Sequence, residues 1–254
     1  MLCSCSGEMR KGFMRITKNH VLSLFFPPRC PVCDEVIFPD RDICEDCRKK
    51  IKRIREPVCK KCGKPLADER GEYCGDCSGY SRRKQHFYTQ GKAVFVFEGA
   101  IKGSMYRFKY GGRQEYAAFY ARAAAEQYGD WLRRNGVEAV VPVPMYSRKK
   151  RRRGYNQAEV FAKALGRELQ MPTDCGMVKR IRNTVPQKEL SEEERAHNVK
   201  NAFQFAANIV KYKKIVLVDD IYTTGSTMDA VAEVLLAVGV RKIYYICISI
   251  GEGY

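Results

Sequence analysis

Apolar positions along this chain repeat at two periods, and the alternation between them outlines an α/β domain. Residues 215–218 (IVLV) form a short, wholly apolar, mostly β-branched run, the pattern of a strand buried on both faces of a parallel sheet. Residues 137–143 (VEAVVPV), 177–181 and 241–250 (RKIYYICISI) read as further strands, 203–205 as a short one, and residues 93–98 (AVFVFE) alternate like a strand. Helical periodicity marks a short basic helix over 101–110, closed by Gly111 and Gly112, and a long Ala-rich helix over 114–134 with the only tryptophan, Trp131. Two more helices are expected, from near Asn156 to Glu168 and over 226–238, the latter ending at Gly239 in the favoured C′ position. Ser191 and Glu194 form a capping box that starts a helix to about Asn201, after a polar loop over 182–190 that reads as a mobile lid. Helical spacing assigns Tyr116, Phe119, Tyr120 and Tyr128 to the core rather than to a base-stacking platform.

The chemistry gathers where the 215–218 strand ends. Asp219 and Asp220 follow at once, at the carboxyl edge of the sheet where open α/β folds bind ligands. Thr223, Thr224, Gly225, Ser226 and Thr227 then offer hydroxyls and unencumbered N–H groups at the first turn of a helix, which suits an anion. An anion beside adjacent acids requires a ligand with both phosphate and hydroxyls or a metal ion, as a sugar phosphate has. Neither GxxxxGK[ST] nor GxGxxG occurs, which argues against a P-loop NTPase and a dinucleotide-binding dehydrogenase.

Six consecutive basic residues, 148–153, sit in what reads as a strand-to-helix loop crossing the same sheet edge. Such a run is either a solvated charge patch or a clamp for pyrophosphate or nucleic acid, and its location favours the clamp.

Ten of the twelve cysteines lie in the first third, and eight form four CxxC pairs: Cys30/Cys33, Cys44/Cys47, Cys59/Cys62 and Cys74/Cys77. Pairs spaced about ten to twelve residues apart let two knuckles close a tetrahedral thiolate site, so two structural Zn2+ ions are expected. Sequential pairing is the simplest, but an interleaved arrangement uses the same spacings. Gly63 and Gly75 suit close backbone approach in the knuckles. Disulfides are disfavoured in the cytoplasmic setting expected here, and closed four-cysteine sites leave no position for catalysis.

The chain has 254 residues, room for one α/β domain and a small module, expected at 81–254 and 25–80. Residues 1–24 read as a disordered leader, with Met14 a plausible alternative start. The apolar run 21–26 is too short for a signal peptide, and Pro27, Pro28 and Arg29 replace a cleavage site. No stretch is long and apolar enough to span a membrane. The net charge of +17, about +13 once eight thiolates hold two zinc ions, points to an anionic partner. Residues 78–90 read as a basic linker, Cys247 as an inert core thiol, and His20, His86 and His197 show no catalytic or metal pattern.

The 216–227 segment resembles the loop for phosphoribosyl pyrophosphate (PRPP) of the type I phosphoribosyltransferases, matching it without a gap. Around it, in order, stand the CxxC knuckles, Phe108-Lys109-Tyr110, the Val-Pro-Val-Pro of 141–144, the Arg-Gly-Tyr-Asn-Gln of 153–157, Thr184 with Gln187, and Arg195 with Asn198 and Val199. Over about residues 25–250 this combination resembles the ComF (ComFC-like) competence family. The resemblance implies a type I phosphoribosyltransferase-like α/β domain behind a double zinc ribbon, and a cytoplasmic role in handling single-stranded DNA during transformation with a helicase partner. It implies that Asp219 and Asp220 meet ribose hydroxyls of Mg2+-PRPP while residues 223–227 hold its 5′-phosphate. Pro144, Met145, Tyr146, Ser147 and Arg148 would form the pyrophosphate loop, with Arg151, Arg152 and Arg153 as a basic clamp. Thr184, Gln187 and Arg195 would belong to a flexible loop closing over the ligand. The alternative is an active phosphoribosyltransferase with an unidentified nucleobase or nucleotide acceptor, since the fold alone does not establish transfer.

Overall fold

The computed structural model describes residues 27–68, 70–78, 86–183, 201–207 and 209–251. Its centre is a four-stranded, all-parallel sheet of β1 (Gln90–Val96), β2 (Ala139–Pro142), β5 (Lys214–Tyr222) and β6 (Lys242–Ile250), in the order β1-β6-β5-β2. Ile215, Val216, Leu217 and Val218 of the inner strand β5 are all buried, because helices cover both faces. On one face Val216 and Val218 pack with Phe95, Tyr120 and Phe161, beneath α2 (Gly99–Tyr110), α3 (Tyr116–Arg134) and α5 (Gln157–Leu169). On the other, Ile215 and Leu217 pack with Met228, Val231 and Leu235 of α6 (Ser226–Ala237). Tyr116, Phe119, Tyr120 and Tyr128 are core residues, and Cys247 is buried within β6.

β3 (Val178–Arg180) and β4 (Phe203–Phe205) form a separate antiparallel pair at the base of the segment carrying Thr184, Gln187 and Arg195, which lie outside the described residues. The capping-box helix, the leader with Met14, and His20 and His197 lie outside them too.

The cysteine-rich segment, with a short helix α1 (Glu45–Lys50), straddles the β1 edge of the sheet. Between its two halves, the Ile54 N–H donates to the Val94 carbonyl (2.9 Å) and the Val96 N–H to the Lys52 carbonyl (3.0 Å), so the edge strand is paired rather than exposed. Cys30, Val32 and Ile37 join the core under α3, whereas Cys59 and Cys62 join the core under α6.

Three elements differ from the sequence reading. The 93–98 alternation is replaced by a strand over Gln90–Val96 whose Ala93, Val94, Phe95 and Val96 are all buried, because the cysteine-rich segment and α3 cover what alternation assigns to water. β5 runs through both acids to Tyr222, held by β6 as far as Ile250. The basic run is a short helix, α4 (Ser147–Arg153), ended by Gly154 at φ 89°, where consecutive long cationic side chains are good helix formers splayed into solvent.

Candidate functional site

Asp219 and Asp220 occupy the second half of β5, alongside Cys247 and Ser249 of β6. The chain leaves the sheet after Tyr222 and turns at Gly225, φ 79°, into α6. A Cβ at Gly225 would lie 2.5 Å from the Tyr222 hydroxyl, so glycine suits both the backbone angle and the space. Thr224 Oγ1 and Ser226 Oγ stand 3.0 Å apart at the helix start. Asp219, Tyr222, Thr223, Gly225, Ser226 and Thr227 line a small depression of about 20 Å3 there. A larger cavity of about 550 Å3 lies between the first cysteine group and α3, lined by Pro27, Arg29, Arg113 and Arg122 among others, away from the acids.

The two carboxylates do not stand alone. Asp220 Oδ2 pairs with Lys109 Nζ at 2.9 Å, both side chains less than one-fifth exposed. The Asp220 N–H donates to Asp219 Oδ1 at 2.8 Å. Burial and then the Asp220 charge push the Asp219 carboxyl up to about 7, while the Asp220 N–H, Lys109 and Arg180 pull the other way. Burial lowers the Arg180 pKa and Asp219 opposes that fall. Lys149 is lowered by burial and by Arg180, Arg153 and Arg152 close by. Two acids and a group of cations thus share the carboxyl edge of the sheet.

A local lock explains how these groups meet. The Val143 N–H donates to the Val218 carbonyl (2.9 Å), which sets the segment 144–147 alongside the start of the acids. Asn156 Nδ2 returns to the Val143 carbonyl (3.0 Å) while Asn156 Oδ1 caps α5 at the Ala158 N–H (3.2 Å). Tyr155 donates to the Phe108 carbonyl, Gln157 Nε2 to the Lys109 carbonyl (3.4 Å), and the Arg153 guanidinium lies 4.6 Å from the Tyr110 ring centroid. The Arg-Gly-Tyr-Asn-Gln motif therefore grips the Phe-Lys-Tyr motif and delivers Lys109 to Asp220.

Pro144, Met145 and Tyr146 are half-buried; Ser147, Arg148, Arg151 and Arg152 are exposed; Arg153 is half-buried against Tyr110 and Gln157. Arg148, Arg151 and Arg152 make no ion pair among the described residues, whereas Lys150 pairs with Glu159 (2.6 Å). Sequence reasoning assigns no role to Lys109, Arg180 or His86. His86 Nδ1 lies 2.8 Å from Asp229 Oδ2 and the Phe87 N–H donates to Asp229 Oδ1 (3.0 Å), which ties the approach to β1 onto the first turn of α6. No spacing rule reports such partners, because they converge from elements far apart in sequence.

The eight knuckle cysteines resolve into two sequential groups, Cys30, Cys33, Cys44 and Cys47, and Cys59, Cys62, Cys74 and Cys77. Within each, the sulfurs lie within 4.8 Å of one another, with Cys33–Cys44 at 3.8 Å and Cys62–Cys74 at 3.5 Å, as four thiolates around one tetrahedral Zn2+ require. Burial opposes the Cys30 thiolate, yet N–H groups of Cys44, Cys33 and Val32 bring it down to about 7. Gly63, at φ 74°, approaches β1 so closely that a Cβ would sit 2.7 Å from the Gly91 carbonyl oxygen, whereas Gly75 has open space around it and serves no such approach.

Fold and site define a class: a phosphoribosyltransferase-type α/β domain joined to a double zinc ribbon. Residues 21–78 match the double zinc ribbon domain family and residues 156–250 the phosphoribosyl transferase domain family. The chain is 32% identical to competence protein F of Haemophilus influenzae over 225 residues, covering 86% of this chain and 95% of that protein. It is 28% identical to competence protein ComFC of Bacillus subtilis over 79% of this chain and 80% of that one, and 30% identical to the DNA utilization protein YhgH of Escherichia coli K12 over 81% and 89%. The chain belongs to the ComF family of competence proteins.

Proposed function

We propose that the chain binds Mg2+-PRPP through Asp219, Asp220 and residues 223–227, and carries single-stranded DNA on the basic surface beside that site during DNA uptake. The observation that carries the reading is one sheet edge on which adjacent acids, a hydroxyl-rich helix start and a cationic helix meet. Asp219 and Asp220 accept hydrogen bonds from ribose hydroxyls, and N–H groups at the start of α6 take the 5′-phosphate. Lys109, Lys149 and Arg180 supply positive charge toward pyrophosphate, and Mg2+ would neutralise its oxygens.

The relatives named for competence and DNA utilization support the DNA part, as does the net charge of +17. Closure of the loop carrying Thr184, Gln187 and Arg195, a helicase partner and a cytoplasmic setting belong to the same proposal and rest on the family. Among the described residues no helix is long and apolar enough to cross a membrane. Phosphoribosyl transfer to an acceptor is the second reading, favoured by the cations beside the acids, which would stabilise a departing pyrophosphate.

Parallel titrations of zinc-loaded protein test the two-site arrangement. Asp220→Asn is expected to weaken Mg2+-PRPP binding by roughly tenfold or more while leaving oligonucleotide affinity unchanged. Equal loss of both contradicts it.

A further inference from the structure

α2 buries Ile101, Met105 and Phe108 almost completely, yet its opposite face presents Tyr106 and Tyr110, 66% and 59% exposed. The two rings stand one helical turn apart with centroids at 5.1 Å and an interplanar angle of 46°. The Arg153 guanidinium covers Tyr110 at 4.6 Å, so an arginine and two tyrosine rings follow one another across the surface. Neither tyrosine hydroxyl has a hydrogen-bond partner among the described residues. The hydroxyls of buried tyrosines such as Tyr88, Tyr120, Tyr128, Tyr222 and Tyr245, by contrast, are all hydrogen-bonded.

Position and charge say what such a surface fits. Tyr110 directly follows Lys109, whose ammonium holds Asp220, and its own ring lies against Arg153 of α4, so the rings adjoin the cationic helix. Arg148, Arg151 and Arg152 of α4 stand exposed beyond Arg153 and offer cations to a phosphate backbone. Flat exposed rings next to a line of cations match a polymer with unpaired bases and a regular negative charge. A neutral protein partner would leave the cations unmatched, and duplex DNA would keep its bases stacked inside.

We propose that Tyr106 and Tyr110, continued by Arg153, form a stacking ledge for the unpaired bases of single-stranded DNA whose phosphates lie along α4. This rests on the reading that the chain handles single-stranded DNA, and adds the contact that distinguishes bases from backbone.

The test compares full-length, zinc-loaded protein binding to an oligothymidylate of about 20 nucleotides with binding to an abasic deoxyribose-phosphate oligomer of equal length, by fluorescence anisotropy. The wild type is expected to favour the oligothymidylate by roughly tenfold or more. The Tyr106→Leu/Tyr110→Leu variant is expected to lose that preference while keeping its affinity for the abasic oligomer, and Tyr106→Phe/Tyr110→Phe to retain it. Retained preference in the leucine variant, or DNA binding by the wild type without base preference, overturns the ledge alone. Failure of the wild type to bind either oligomer overturns the ledge and the DNA-handling reading together.

Discussion

Lys109 Nζ lies 2.9 Å from Asp220 Oδ2, and the contact joins the last turn of α2 to the end of β5. Tertiary structure brings the two together: Tyr155 and Gln157 hold the backbone carbonyls of Phe108 and Lys109 in place. The Lys109 charge partly offsets the repulsion between Asp219 and Asp220. Removing one member of a largely buried pair leaves an uncompensated charge, so Lys109→Met is expected to cost about 3 kcal/mol of stability, the low end for a buried pair because both side chains keep some exposure. The loss should be larger at pH 8, where Asp219 has also ionised, than at pH 5.5, and Lys109→Met/Asp220→Asn should recover much of it. Urea titration at the two pH values measures this; a loss independent of pH contradicts it.

Asp219 gives a prediction of opposite sign. Its folded pKa, near 7, is raised above the ordinary value of 3.8, so the folded state holds the proton more tightly than the unfolded chain. That contribution is fully present below about pH 4 and is lost as pH rises through about 7. Asp219→Asn keeps an oxygen to accept the Asp220 N–H and removes the buried charge. The variant should therefore be more stable than the wild type at pH 8 by about 1–2 kcal/mol and equal to it near pH 4. Thermal melts across that range check it, and destabilisation at pH 8 would show that the charge is better compensated than the geometry indicates.

The second cysteine group is connected through three tyrosines to the 223–227 loop. Tyr245 donates to the Cys62 carbonyl (2.6 Å), Tyr222 stacks on Tyr245 with centroids 4.9 Å apart, and the Tyr88 and Tyr222 hydroxyls are 2.8 Å apart. Tyr222 in turn fixes the space beside Gly225. Chelating the zinc should speed amide exchange at residues 222–227 as well as within the knuckles. Protection at 222–227 that survives complete zinc loss would mean the tyrosines hold the loop without the metal.

Much of this arrangement is legible in the sequence, and the limits are physical. The β5 run, the acids and the glycine turn are contiguous, so local pattern suffices for them. Spacing leaves knuckle pairing open because it constrains distance along the chain, not which hairpin faces which. Lys109 and Arg180 reach the acids only through tertiary packing, and nothing in their neighbours' types announces it. The basic run reads as a loop from its position between strand and helix, but seven residues from Ser147 to Arg153 suffice for a short helix once Gly154 ends it.

Arg148, Arg151 and Arg152 are exposed and make no ion pairs among the described residues, so binding a phosphate backbone, as proposed, would break no internal ion pair of theirs. Replacing all three by Gln should reduce the slope of log affinity against log salt for single-stranded DNA by about 2, at ~0.7 per phosphate contact. An unchanged slope would reduce the helix to a solvated patch.

Asp219, Asp220 and the 223–227 loop are proposed to form a working sugar-phosphate site. Calorimetric titration of the zinc-loaded protein with PRPP, with and without Mg2+ and with Asp220→Asn alongside, tests it most directly. Saturable, Mg2+-dependent binding to one site per chain, lost in the variant, is the expected result; no binding by the wild type, or binding untouched by Asp220→Asn, would contradict it.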